Sequence, residues 1–339
     1  MKARKVKPLR TPLLSIILPY YNMPETLPRL FDSIMAQSLR SLEVVVVDDG
    51  SERSCAEVVE AYKNKGLDAR LIRHGKNMGT LAARASGLAQ ARGSVITFAD
   101  QDDMFWGREC LERHAGLLLR ERADIVHFNE VAHDCVSSAV WVYHWGFPFA
   151  ASLRGGEILR ACAAAHRGWG VHGKLYSREL AGKALEVVWS EKIVYPEDLV
   201  LNAVFFSHAR LYLGSHEPGY CHFLRPRRDI LCIKDYITIL RAYVPVLDMK
   251  LPEGCAGVFE RIIGLTLRKH ASRIGQAVGG VDDFQGQAEL FAQLVSGVAP
   301  QELANVMSTA RQLTGTGAAD AKKYPWEPVF MKHLALVLQ

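Results

Sequence analysis

Apolar residues along the first hundred positions follow two alternating rhythms. Leu13–Leu18 is a short apolar run stopped at Pro19, the length of a buried strand, whereas Leu27–Gln37 sets Leu27, Leu30, Phe31, Ile34 and Met35 at helical spacing. Leu42–Val47 is a β-branched run of the kind carried by a parallel strand covered on both faces. It ends in Asp48-Asp49-Gly50-Ser51, a turn and helix cap. Cys55–Lys63 reads as helix, Ala69–Ile72 as a short strand, and Thr80–Ala91 as an Ala-rich helix closed by Gly93. Val95–Ala99 is a further strand, running straight into Asp100-Gln101-Asp102-Asp103. Strand and helix alternate throughout, so the predicted fold class is α/β, with a mostly parallel sheet, right-handed crossovers and flanking helices. Ligands of such sheets bind beyond the carboxyl ends of the strands, where this chain places its polar groups: Tyr20, Tyr21 and Asn22, then Asp48 and Asp49, then the Asp cluster.

Beyond Asp103 the pattern loosens. Leu111–Arg122 reads as helix, Ile125–Val131 as strand, Gly155–Ala165 as helix and Gly168–Ser177 as a loop into a strand. Pro196-Glu197-Asp198 opens a helix that runs through Phe206. From about Asp229 the strand signals stop, and amphipathic segments separated by Pro252-Glu253-Gly254, Gly279-Gly280 and Gly315-Thr316-Gly317 predict a helical C-terminal subdomain.

Composition changes this picture little. The 339 residues are 49% hydrophobic and 23% charged, which excludes a disordered chain. The net charge of +5 is unevenly placed, with Lys2, Arg4, Lys5, Lys7 and Arg10 at one end and Arg225, Arg227 and Arg228 in a second knot. Such clusters suit phosphates, acidic lipid headgroups or nucleic acid, or are a solvated tail and a solvated turn. Seven dispersed cysteines with no CxxC pair point to reduced thiols in the cytoplasm rather than disulfides or a zinc site. The apolar run after the basic start is too short for a secretory signal, and no stretch of roughly 18 uncharged apolar residues predicts a membrane span. The expectation is a cytoplasmic protein, soluble or peripheral at the inner face of the membrane.

The chemistry concentrates at strand ends. Asp100 and Asp102, two apart, leave the same face of an extended segment, and Asp103 adds a third carboxylate. Crowded carboxylates repel unless one keeps its proton or a hard cation such as Mg²⁺ or Mn²⁺ neutralises them. An acidic loop doubling as a helix cap before Met104 would look similar. Of Asp48 and Asp49, one suits a base edge or ribose hydroxyl while the other caps, or both form the turn. Gly75-Lys76-Asn77-Met78-Gly79 is a basic turn before a helix, suited to phosphate or to plain reversal. Neither GxxxxGK[ST] nor a GxGxxG turn after the first strand occurs, which removes the P-loop and dinucleotide-binding readings. Glu197 and Asp198 favour a helix dipole or supply a general base. His172 lies in a Gly-rich loop with Lys174, and Trp141, Tyr143, Trp145 and Phe147 alternate as a half-buried strand or a sugar-stacking surface does.

In order, these segments resemble the inverting glycosyltransferases of family 2, with the GT-A fold, and their capsular and exopolysaccharide branch. SIILPYYN (15–22), LEVVVVDDGS (42–51) and KNMGTLAARASGLAQARGSVITFADQDD (76–103) are similar to the family's successive opening segments; HGKLYSREL (172–180) and YPEDLVLN (195–202) are similar to its acceptor-side segments. The resemblance implies a GT-A domain over 13–225, with a nucleotide-binding half (13–105) and an acceptor-side half (106–225), followed by helices over 226–339. It implies that Asp48 contacts the base, that Pro19, Tyr21 and Arg84 line the nucleotide pocket, and that Lys76 and Gln101 also attend the donor. Asp100 would reach the ribose, Asp102 with Asp103 a Mn²⁺ or Mg²⁺ ion, and His172, Lys174 and Glu197 the acceptor, with Asp198 as catalytic base. The implied donor is a nucleotide-diphosphate-sugar, a UDP-sugar favoured; the implied acceptor is a carbohydrate or lipid-linked hydroxyl, and nucleic acid is not an expected partner. Ala85-Ser86-Gly87 after Arg84, and Gly173 in the His172 loop, depart from the family's usual Asn-bearing forms. A metal-dependent nucleotidyltransferase and a catalytically silent nucleotide-sugar binding protein are the alternative readings; Pro19-Tyr20-Tyr21-Asn22 speaks against the first, the intact Asp100, Asp102 and Asp198 against the second.

Overall fold

The computed structural model describes residues 11–165, 167–186 and 197–224, and further along the chain 255, 257–258, 283–294, 304, 308, 332 and 335. The chain divides into two units: residues 1–194 with 201–226, and residues 195–200 with 227–339. In chain order the elements are β1 (Leu14–Tyr20), α1 (Leu27–Met35), β2 (Leu42–Asp48), α2 (Ala56–Asn64), β3 (Ala69–Arg73), α3 (Thr80–Gln90) and β4 (Val95–Phe98). Next come β5 (Met104–Phe105), α4 (Cys110–Glu121), β6 (Ile125–Asp134), β7 (Val140–Val142), β8 (Ser152–Arg154), α5 (Glu157–Ala165), β9 (Lys174–Ser177), α6 (Arg178–Glu186), α7 (Glu197–His208), β10 (Leu211–Leu224) and α8 (Phe284–Leu294). The first turn of α7, and α8, belong to the second unit.

The sheet of the first unit runs β3-β2-β1-β4-β9-β6-β10-β5, with β7 added to β6 and β8 to β10. β1 to β4 are mutually parallel, as the alternation predicts. β9 enters antiparallel between β4 and β6, so that β6 and β10 again run with the first four. The β-branched run of β2 is buried at all seven positions, the burial expected of a strand with helices on both faces. Leu27, Leu30, Phe31 and Ile34 form the inner stripe of α1, and Phe31 meets Tyr62 of α2 edge-on at 5.1 Å between ring centroids. Each such buried side chain contributes about 2 kcal/mol.

The order of strands creates the site. From β1 the chain steps outward to β2 and β3 and then returns to β4 on the other side of β1, so a crevice opens at the carboxyl ends of β1 and β4. Pro19 sits in the middle of this sheet without breaking it. It shares the parity of Ile17, whose carbonyl accepts the Ala99 N–H at 3.1 Å on the β4 side, and β4 ends there. The N–H that proline lacks would have pointed into the crevice.

At the opposite pole Glu43 lies wholly buried in β2. It accepts the Ser15 hydroxyl at 2.7 Å, the Arg92 N–H at 2.7 Å and Nε at 2.8 Å, and Arg70 Nη2 at 3.0 Å. Burial alone would raise its carboxyl; Ser15, Arg92 and Arg70 together hold it below the ordinary range. The helical subdomain expected over 226–339 falls almost entirely outside the described residues; within them Phe284–Leu294 is helical. Among the described residues no helix is long and apolar enough to cross a membrane, and Cys55, Cys110, Cys135, Cys162 and Cys221 are in no disulfide.

Candidate functional site

Strand ends in register build the rim. Tyr20, Asp48 and Arg73 stand side by side at the ends of β1, β2 and β3. The Asp48 carboxylate turns into its own loop: Oδ1 accepts the Ser51 N–H at 2.9 Å, and Oδ2 lies 3.8 Å from Arg73 Nε. Asp49 ties the loop before α3 to the end of β2, accepting the Met78 and Gly79 N–H groups, each at 2.8 Å, and facing His74 Nδ1 at 2.7 Å. Gly50, at φ +72°, packs against that loop so closely that a Cβ would lie 2.6 Å from the Asn77 nitrogen. The pair therefore holds Lys76, exposed in this turn, beside the rim.

β4 ends in the turn Asp100–Asp103, closed by the Asp103 N–H on the Asp100 carbonyl at 3.2 Å. Gln101 locks this turn to β1: its Oε1 accepts the Tyr21 N–H at 2.9 Å and its Nε2 donates to the Tyr21 carbonyl at 3.2 Å. Asp48 and the acidic turn thus share one rim, and Tyr21 stands over it 45% exposed. Arg84, buried on α3, donates Nη2 to Asp100 Oδ1 at 2.9 Å. Burial disfavours the Asp100 anion, but Arg84, and then His172 and His222, outweigh it and hold the carboxyl below its usual range. Asp102 is partly exposed, and Arg29, stacked over the Phe223 ring, donates to its backbone carbonyl. Asp103 is buried and both oxygens have partners: the Phe223 N–H at 3.0 Å and His222 Nδ1 at 3.0 Å.

Beneath the turn lies a polar cluster that sequence reasoning missed. His222 Nε2 faces Glu130 Oε2 at 2.6 Å, and His172 Nδ1 faces Glu130 Oε1 at 3.2 Å. The His172 ring stacks on Tyr220, whose hydroxyl accepts the Asp100 N–H at 2.8 Å. Burial opposes both charges, yet His172 and His222 hold the Glu130 carboxyl well below its usual value, and Glu130 with Asp103 holds the His222 imidazole well above its own. Glu130 was hidden in a strand run that also carries His127 and Asn129, so it did not stand out from its neighbours; the alternation of Tyr220 and His222 was the one signal that could have exposed the cluster.

The remaining expected residues divide. His172 joins this cluster. Lys174, wholly buried at the start of β9, donates Nζ to the Gly170 carbonyl and closes the glycine loop from within. Pro19 stands half-buried near the carboxyl end of β1. Glu197 and Asp198 open α7 in the second unit. The aromatic alternation over 141–147 is only partly strand: β7 stops at Val142, exposed throughout, and a 3₁₀ turn covers His144–Gly146.

A mixed sheet with an acidic turn, a buried arginine and a basic loop at its switch point is an α/β fold of GT-A architecture. This chain matches the model of glycosyl transferase family 2 over residues 15–179, just under half of its length. It is 34% identical over 121 residues to an uncharacterized glycosyltransferase of Haemophilus influenzae, covering 36% of this chain and 48% of that protein. It is 31% identical over 108 residues to the amylovoran biosynthesis glycosyltransferase AmsB of Erwinia amylovora, covering 31% and 36%. The match thus spans at most about half the length of these relatives. The fold is also that of S. aureus TarS 1–349, with a TM-score of 0.61 at 19% identity, over 95% of this chain and 90% of that one.

Proposed function

We propose that this protein transfers a sugar from a nucleotide-diphosphate-sugar, a UDP-sugar favoured, to a hydroxyl of a carbohydrate or lipid-linked acceptor, with inversion, in the synthesis of a surface polysaccharide or glycoconjugate. The observation that carries the reading is the Asp100–Asp103 turn at the switch point, with Asp100 ionised against Arg84 and Asp102 at the partly exposed rim. The likeness to AmsB supports the polysaccharide context, and the TarS 1–349 complex with UDP-GlcNAc supports the donor class.

The donor set fits a hard divalent cation, because the rim offers carboxylate oxygens and the ionised Asp100 is already paired with Arg84. Asp102, with Asp103 behind it, would hold Mn²⁺ or Mg²⁺, which supplies charge stabilisation to a departing diphosphate. The chain's own groups do the rest. Tyr21 and Pro19 wall the nucleotide, Asp48 and Asp100 offer acceptors to base and ribose, and Lys76 adds positive charge beside the diphosphate. His172 and Glu197 are assigned to the acceptor side, and Lys174, buried against the Gly170 carbonyl, to shaping the glycine loop there instead of touching the acceptor. Asp198, matched to the base of the Glu-Asp pair by sequence resemblance, takes the proton of the attacking hydroxyl, and in-line displacement inverts the anomeric carbon. The basic clusters at Lys2–Arg10 and Arg225–Arg228, which lie outside the described residues, are proposed to favour anionic membrane surfaces.

Calorimetric titration with UDP, GDP and their sugars, with and without Mn²⁺, tests the reading. It predicts binding of one nucleotide class strengthened by Mn²⁺; no binding of any would refute it.

A further inference from the structure

The turn that carries the acidic rim is held from below by a single strand. β10 supplies the Tyr220 hydroxyl to the Asp100 N–H at 2.8 Å, the Phe223 N–H to Asp103 Oδ1 at 3.0 Å, His222 Nδ1 to Asp103 Oδ2 at 3.0 Å and the Gly219 carbonyl to the Trp106 N–H at 3.0 Å. It also pairs with β5, the two residues directly after the turn. His222 in turn is walled by the rings of Tyr143 and Tyr220, at 4.8 and 5.1 Å between centroids, and pinned by Glu130 at 2.6 Å. Glu130 is wholly buried on β6, and room for its carboxylate exists because residues 146 and 173 are glycines. A Cβ on either would fall on that carboxylate, and Gly173 also needs φ +65°.

A buried ion pair contributes little net stability compared with well-packed apolar residues. What this one supplies is direction: an imidazole with a fixed partner on each nitrogen has one orientation, and so has the carboxylate it holds. We propose that Glu130 and His222 are positioning residues for the acidic turn: Glu130 fixes His222, and His222 with the Phe223 N–H holds Asp103 as the tie of the turn, so that Asp100 and Asp102 are presented to the donor. This rests on the glycosyltransferase reading for its purpose, though not for its geometry. It assigns Asp103 a supporting part behind Asp102. His172, on the second oxygen of Glu130 and stacked on Tyr220, braces the same cluster from the glycine loop.

The test uses the full chain carrying Glu130→Gln, His222→Gln, Asp103→Asn and the Asp103→Asn/His222→Gln double substitution. Amide hydrogen exchange at Asp100 and Asp103, whose N–H groups are bonded to Tyr220 and within the turn, is expected to quicken at least about tenfold in each single variant, while amides of β1 and β2 keep wild-type rates. Mn²⁺-dependent UDP affinity should fall about tenfold in each, and the double variant should be no worse than the weaker single, as for residues acting through one network. Unchanged exchange in the turn, additive losses in the double variant, or unchanged Mn²⁺ dependence would overturn the proposal. Global unfolding of both Glu130→Gln and His222→Gln would overturn it as well, by making the cluster a folding element. Co²⁺ added without nucleotide provides a further arm: a d–d absorption band abolished by His172→Ala would make the cluster a metal site and not a brace. If the wild-type protein binds no nucleotide, the glycosyltransferase reading fails, and the exchange rates still decide the positioning claim.

Discussion

Replacing Asp49 with Asn preserves the size of the side chain and removes one acceptor and the charge. In the wild type the two carboxylate oxygens serve the Met78 N–H, the Gly79 N–H and His74 Nδ1 at 2.8, 2.8 and 2.7 Å. Asparagine keeps one oxygen, which satisfies one backbone donor, and turns an NH₂ group towards the other. A hydrogen bond to a charged group is worth about 1.5–3 kcal/mol, and two of three are lost or weakened, so the expected cost is about 3 kcal/mol. For a domain of this size that lowers the melting temperature by roughly 6–12 °C. The loss has a local consequence too, because Asp49 and Gly50 are what hold the Lys76–Gly79 loop on the end of β2. Urea unfolding at pH 7 measures the stability, and calorimetry with UDP measures the loop's part in binding. A variant within about 0.5 kcal/mol of wild type, on the scale of an ordinary surface substitution, would refute the claim that this carboxylate organises the loop.

Glu43→Gln should cost about 2 kcal/mol at pH 7, discounted because its partners Arg92 and Arg70 are 31% and 35% exposed. The folded-state carboxyl is held below its ordinary value, so its contribution is present above that value and lost as pH falls through the folded one. The gap between wild type and variant in urea unfolding should therefore be full at neutral pH and close as pH drops below about 5; a constant gap would sink the assignment. Asp198→Asn should leave donor and metal binding nearly intact while transfer falls roughly 10²–10⁴-fold, and a rate close to wild type would remove the base assignment. Sedimentation with anionic and neutral vesicles should show salt-sensitive capture by the anionic ones alone; equal recovery in the supernatant would leave the basic clusters as solvated surface.

The first four strands and their helices were legible because their information is local. The β-branched run of β2, the inner stripe of α1 and the polar residues at each strand end mark the elements, and β1, β2 and β3 pair with their sequence neighbours, whereas β4 returns to pair with β1. The second half was harder for a physical reason. β10 carries Gly214, Pro218 and Gly219 within one strand, and its pairing with β6 slips twice between Ser215 and Tyr220. Nothing in fourteen residues so interrupted announces a single strand. β9 is four residues long and antiparallel between two strands distant in sequence. For the rim, Asp100 and Asp102 were marked by spacing and placement, and Arg84 and Gln101 by the family resemblance. Glu130, Tyr220 and His222 were not, because their chemistry arises only when β6 and β10 pair. Asp48 and Asp49 show the limit of motif reading: both were marked, but their orientation depends on Ser51, Met78 and Gly79, which only the fold brings together.

The central claim is most directly tested by nucleoside diphosphate release from a panel of UDP- and GDP-sugars, with Mn²⁺ or with chelator, by wild type and Asp102→Asn. Release from one UDP-sugar by the wild type, suppressed by chelator and falling at least about a hundredfold in the variant, is the predicted result. No release from any donor, or an Asp102→Asn protein with undiminished and equally Mn²⁺-dependent release, would contradict the account.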